Sequence, residues 1–241
     1  MRKNGRARAH AGLTARYFPR RGIEVTAGTT RIHDLEAAMY TQAQFQAWDM
    51  LSGQMAPELG GKPEYLDIIG VNFYERNQWV HNSEMLERDD PRYKPFRRIL
   101  RDVWERYRRP MFVSETGTED CARPDWFNYV CDEVFAARSE RLPIHGICLY
   151  PILNHPGWED DRHCHNGLFD YPNASGDRDV YWPLAHALLI QQQRLAATKE
   201  ITHETEGHRS HMSLSPTLGI RFSTPTTHHQ SLRPSWPGLL F

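Results

Sequence analysis

The residues with chemistry to offer stand at the ends of three apolar runs. Residues 109–119 read Arg-Pro-Met-Phe-Val-Ser-Glu-Thr-Gly-Thr-Glu. Met111, Phe112 and Val113 have the pattern of a strand buried on both faces. Polarity returns at Ser114, Glu115 and Thr116, and Gly117 lets the chain turn. Glu115 therefore belongs at the carboxyl end of a buried strand, where reacting groups collect in a parallel α/β fold. Residues 65–74 end in the same way, in Asn72 and Tyr74, and residues 144–150 end in Tyr150 before Pro151. A carboxylate so placed can attack or shield an oxocarbenium-like centre. A phenol can hydrogen-bond it, and aromatic faces stack on the C–H faces of a pyranose. The Tyr74 hydroxyl is expected within hydrogen-bond reach of Glu115. The plainer alternative is a rim carboxylate paired with one of the many nearby arginines.

The elements that must position these groups alternate. Residues 35–55 place Ala38, Tyr40, Phe45, Trp48, Met50, Leu51 and Met55 at mixed spacings of three and four. That predicts a helix, stopped by Gly60-Gly61. The apolar, β-branched centre of 65–74 predicts a buried strand. A loop through Asp89-Asp90-Pro91 leads to Phe96, Ile99, Leu100, Val103, Trp104 and Tyr107 at helical spacing. Residues 125–141 predict another helix, with Trp126, Tyr129, Val130, Val134 and Phe135 on its apolar face and Asp125 as its cap. Residues 144–150 predict the third strand, and 182–195 a last helix with Pro183 in its first turn. Strands and helices in alternation imply a parallel sheet with right-handed crossovers.

Composition bounds the rest. The chain has 241 residues, near the roughly 250 of one (β/α)8 barrel. Its net charge of -1 gives no bulk field for nucleic acid or an anionic membrane. No apolar run approaches the roughly 18 residues of a membrane span. The basic start lacks the apolar centre of a secretory signal. Cys121, Cys131, Cys148 and Cys164 show no paired spacing and read as reduced thiols in a cytoplasmic protein. Residues 1–31 are crowded with arginine, carry Glu24 as their only acid before Arg31, and read as a poorly ordered extension. Residues 196–241, rich in Ser, Thr, His and Pro, read as a disordered tail. Residues 32–195 carry the fold.

Three segments resemble one known family in order. Asp67-Ile68-Ile69-Gly70-Val71-Asn72-Phe73-Tyr74 is similar to the sixth barrel strand of family-1 glycoside hydrolases and their clan-A relatives. Val113-Ser114-Glu115-Thr116-Gly117 resembles the seventh, which carries Thr-Glu-Asn-Gly. Tyr150-Pro151-Ile152-Leu153-Asn154 resembles the eighth, and Gly167-Leu168-Phe169-Asp170 the stretch beyond it. The likeness runs from about Gln42 to Leu195. It implies an α/β fold that is a partial (β/α)8 TIM barrel: the C-terminal strands six to eight with their helices, between disordered termini. It implies a retaining, β-glucosidase-like hydrolase of O-glycosidic bonds, acting on a β-glycoside without a cofactor or metal. In that reading Glu115 is the nucleophile, Tyr74 hydrogen-bonds it, and Asn72, Tyr150, Trp158 and Glu159 bind substrate. The family has a sugar-binding Glu just before its second Trp; here Gly157 holds that position and Glu159 lies two residues on.

One departure is larger. The family's acid/base Glu lies in an Asn-Glu-Pro motif, and no Asn-Glu-Pro occurs in this sequence. A retaining enzyme needs two carboxylates about 5–5.5 Å apart. The expectation is a fragment that has lost leaving-group protonation, with a non-catalytic carbohydrate- or partner-binding half-barrel as the alternative. Unpaired sheet edges would favour self-association. His163-Cys164-His165 lacks the second half of a metal-ligand set. Glu119 and Asp120 are the loop carboxylates that could stand in for the missing one, and Trp79 and His81 could line the cleft. A targeting presequence and a basic arm binding nucleic acid are the other readings for residues 1–31.

Overall fold

The computed structural model describes residues 31–157 and 160–210. The basic N-terminal segment, apart from Arg31, and residues 211–241 of the tail lie outside the described residues, as do Trp158 and Glu159. The centre is a three-stranded parallel sheet in the order β1 (Ile69–Asn72), β2 (Met111–Thr116), β3 (Ile144–Leu149). Helix α1 (Arg31–Ala43) and helix α2 (Gln46–Ser52) precede it. Helix α3 (Phe96–Tyr107) joins β1 to β2, and α4 (Arg123–Ser139) joins β2 to β3. A hairpin of β4 (Phe169–Pro172) and β5 (Arg178–Val180) and a long helix, α5 (Trp182–Ser210), complete the order.

Burial of one sheet face organises the packing. Ile69, Val71, Met111, Val113, Ile144 and Ile147 lie under α3, α4 and α5 in one core cluster. Burying each of these side chains contributes about 1.5–3 kcal/mol. Helix α3 turns Phe96, Ile99, Leu100, Val103 and Tyr107 inward, as its spacing requires. The Phe73 ring stacks on Phe96 at 3.9 Å between centroids and on Trp126 of α4 at 5.4 Å. The other sheet face is mixed, with the Phe112 ring against Gly70. Asn72 and Ser114 bond to each other there, His145 is exposed, and a Cβ on Gly70 would touch Ser114 Oγ at 2.7 Å.

Four expectations change. The helix expected over 35–55 is broken at Gln44–Phe45, where Gln44 Nε2 donates to Thr41 O at 2.7 Å. The second piece is set separately: buried Asp49 accepts from Arg106 Nε at 2.9 Å and from Tyr107 Oη at 2.7 Å. It ends at Gly53, φ 76°, ahead of Gly60-Gly61. Asp125 does not cap α4. The helix starts at Arg123, with Pro124 and Asp125 inside its first turn, where an acid still suits the helix dipole. Helix α5 runs through Ser210, past the end expected at about Leu195. Ala196, Ala197, Lys199, Glu200 and Glu204 are good helix formers that continue a started helix without an apolar face. The β4–β5 hairpin was not expected at all. Asn173 builds its turn by accepting from Ser175 N and Asp177 N, with Gly176 at φ 86°.

Candidate functional site

A bulge in β2 aims the carboxylate. Val71 pairs with Val113, but the next partner of β1, Asn72, pairs with Glu115, so Ser114 is one residue too many. Strict alternation from Val113 would send Glu115 into the core and Thr116 out. The extra residue reverses this. Thr116 is fully buried, its Oγ1 accepting from Trp126 Nε1 at 2.9 Å, while Glu115 stays half-buried on the side of Asn72 and Tyr74. There the Tyr74 hydroxyl donates to Glu115 Oε2 at 2.8 Å. Burial first, then the Glu115 hydrogen bond and charge, push the Tyr74 phenol far above its ordinary range. Tyr74 is thus a neutral donor at every working pH. It holds one carboxylate oxygen and leaves Oε1 outside that bond. Burial and then the charge of Glu115 also push the Cys148 thiol up.

Tyr150 follows β3 and precedes a cis bond to Pro151. It comes close to the exit of β2: a Cβ on Gly117 would stand 2.2 Å from Tyr150 O. Only glycine lets the two strand ends converge there. Tyr74 and Tyr150 line a cleft of about 450 Å³, together with Glu119, His155, Arg162 and Asn166. His155 Nδ1 donates to Pro156 O at 2.7 Å, since a carbonyl can only accept, and Asn166 Nδ2 lies 3.4 Å from His155 Nε2. Across the cleft mouth, Arg162 donates two hydrogen bonds to Glu119, at 2.7 and 3.0 Å. That guanidinium holds the Glu119 carboxyl below the usual carboxylate range. Arg123, buried at the start of α4, ties the walls together. It donates to Asp120 O at 2.7 Å and Gly167 O at 2.6 Å, and lies 3.6 Å from the centre of the Tyr181 ring.

No family model and no curated protein matches the chain. Among solved structures it is similar to the family 1 β-glucosidase from Thermotoga maritima, with 15% identity over 68% of this chain and 48% of that one and a TM-score of 0.47. The β-glucosidase from Thermotoga maritima in complex with glucoimidazole matches at 15% identity over 68% and 47%, with a TM-score of 0.48. A hyperthermophilic β-glucosidase mutant matches at 16% identity over 66% and 39%, also at 0.48. The chain spans less than half the length of each. At these values the likeness assigns no role to any residue.

The residues singled out in the sequence are partly brought together. Tyr74 and Glu115 bond, and Tyr150 shares the cleft with Tyr74. Asn72 lies beside them, its Oδ1 accepting from Ser114 Oγ at 2.6 Å. Trp79 is buried, and His81 bonds Glu36 of α1 at 2.8 Å. His163 stacks on Tyr171 at 4.5 Å, and Cys164 is buried with its N–H donated to Tyr171 Oη. Among the described residues no group of three or more His, Cys, Asp or Glu is arranged to hold a metal ion, and no helix is long and apolar enough to cross a membrane. All four cysteines are free. The sequence reading missed His155, Asp160, Arg162 and Cys148. A polar residue in a Pro- and Gly-containing loop after a strand end was the available signal, and it is a weak one.

Proposed function

We propose that the rim of β1, β2 and β3 holds the sugar ring of a β-glycoside, with Glu115 as the nucleophile of a retaining glycosidase-type site. The observation that carries this is the 2.8 Å bond from Tyr74 Oη to Glu115 Oε2 at the carboxyl edge of a parallel sheet. The motif resemblance supports it, and with it the reading of the three strands as the sixth to eighth of a (β/α)8 barrel. Glu115 attacks the anomeric carbon, forming an ester bond. The bond from that carbon to the aglycone oxygen breaks, and the oxygen leaves with the electron pair. Tyr74 donates to the oxygen that does not attack and keeps the carboxylate oriented. Tyr150 offers its ring to the C–H face of the sugar.

The leaving oxygen needs a proton unless it is already a stable anion. Glu119 does not supply one, because Arg162 keeps it charged. General acid catalysis is worth about 10²–10⁴-fold, so a natural disaccharide is turned over below detection while an activated aryl glycoside can still react. The same observation favours a second reading, carbohydrate binding without turnover. The test is covalent labelling with an activated aryl 2-deoxy-2-fluoro-β-glucoside, followed by intact mass and peptide mapping. A glycosyl adduct on Glu115 is expected. Sugar binding with no adduct would leave only the binding reading. Neither adduct nor binding would sink both.

A further inference from the structure

The loop after β3 builds one wall of the cleft by folding back on itself. Gly157 N donates to Arg162 O at 2.9 Å, and Pro156 and His163 pair as an antiparallel bridge. This return lays Asp160 over Gly157. A Cβ at position 157 would stand 2.1 Å from Asp160 Oδ1 and 3.2 Å from its carbonyl oxygen. The Asp160 carboxylate therefore occupies the space of a side chain that residue 157 does not have. Both residues line the cleft, with Tyr74, Tyr150 and His155.

The carboxylate there is lightly used. Oδ1 accepts the Arg162 backbone N–H at 3.3 Å, and Arg162 Nε comes only to 4.0 Å from Oδ2. The guanidinium is committed to Glu119 instead. An ionised carboxylate has about four acceptor positions, and the Asp160 side chain is 62% exposed. The His155 ring stands on the same wall, 6.1 Å between centroids from Tyr150, with Asn166 Nδ2 at 3.4 Å from its Nε2. An aromatic platform beside a carboxylate and an imidazole is the equipment for gripping a polyol: the ring stacks, and neighbouring hydroxyls donate in pairs.

Resting on the glycoside reading above, we infer that Asp160 is the residue that reads the hydroxyls of the sugar. Its two oxygens accept from two adjacent hydroxyls of a ring stacked on Tyr150. Epimerisation at one of those carbons swings a hydroxyl out of the pair and leaves an acceptor unmet, so Asp160 sets the epimer preference of the site. Gly157 is required because any larger residue pushes the carboxylate aside.

Ligand-observed NMR titration of the full chain tests this, with glucose, its C2 and C4 epimers mannose and galactose, and xylose. Wild type is expected to prefer one epimer. Asp160→Ala is expected to weaken that sugar about tenfold or more and bring the epimers level, and Asp160→Asn to fall between. Gly157→Ala should repeat the loss with the carboxylate still present. If wild type binds and both Asp160→Ala and Gly157→Ala keep its affinities and preference, the inference is overturned and the glycoside reading stands. An equal loss for all four sugars overturns the role in specificity. A wild-type chain that binds none of the four overturns this inference, while the labelling of Glu115 decides the glycoside reading separately.

Discussion

Glu115 and Glu119 stand four residues apart on the exit of β2 and live in opposite surroundings. Glu115 is half-buried beside a neutral phenol, Tyr74, which cannot cancel its charge. Glu119 is clasped by the Arg162 guanidinium through two hydrogen bonds. A neutral donor orients a carboxylate and leaves its charge available for a cationic transition state. A cationic partner satisfies the charge and turns the group into a strut between two loops. The same residue type is thus suited to a chemical or a structural part according to its partner. Gly117 stands between them and lets the chain leave one environment for the other.

The largest expected effect removes the charge from the first of these. Glu115→Gln keeps the shape and an acceptor for Tyr74 but cannot attack. The burst of dinitrophenolate from a 2,4-dinitrophenyl β-glucoside should vanish, while Glu119→Gln leaves it intact. A burst surviving in Glu115→Gln and lost in Glu119→Gln would reverse the assignment. Tyr74→Phe comes next. It removes a hydrogen bond to a charged group, worth about 1.5–3 kcal/mol, and so should slow the burst about 10- to 100-fold if the bond persists into the transition state. An unchanged rate would mean the phenol only packs.

Gly117→Ala acts on the separation itself. Its Cβ would meet Tyr150 O, a backbone atom that cannot swing away, so a loss of about 1–3 kcal/mol in urea unfolding is expected. The glycine and the position of Glu115 at a strand end were legible in the sequence, because apolar runs with polar ends mark buried strands. Helix α3 was legible in its spacing: of the six apolar residues expected inward, Phe96, Ile99, Leu100, Val103 and Tyr107 are buried and Trp104 is partly buried against the same core. The bulge at Ser114 was not: Ser-Glu-Thr has no apolar alternation to show which way each side chain points. Nor was the Glu119–Arg162 pair, whose partners are 43 residues apart. The hairpin of β4 and β5 escaped because its strands are only four and three residues long, too short to show an alternation. The break at Gln44–Phe45 escaped because no glycine or proline marks it. Local patterns reveal elements. Contacts between loops reveal the site, and they come only with the fold.

The smallest effect lies in the strut. The Glu119 carboxyl titrates below its ordinary value of 4.5 in the folded chain, chiefly through the Arg162 hydrogen bonds. A carboxyl whose folded pKa is depressed binds fewer protons folded than unfolded. Its stabilisation is therefore complete above the unfolded value and is lost as pH falls through the folded one. The side chains are 40% and 56% exposed, so solvent screening holds the pair to roughly 0–1 kcal/mol. Urea unfolding of wild type and Glu119→Gln should differ by that amount at about pH 7 and converge as the pH falls below the folded value. High salt, about 1 M, should shrink the gap at neutral pH, because the pair is open to counterions. A gap that persists in acid would mean that Glu119 stabilises the loop by packing and not by charge. The contrast with Glu115 would then rest on that residue alone.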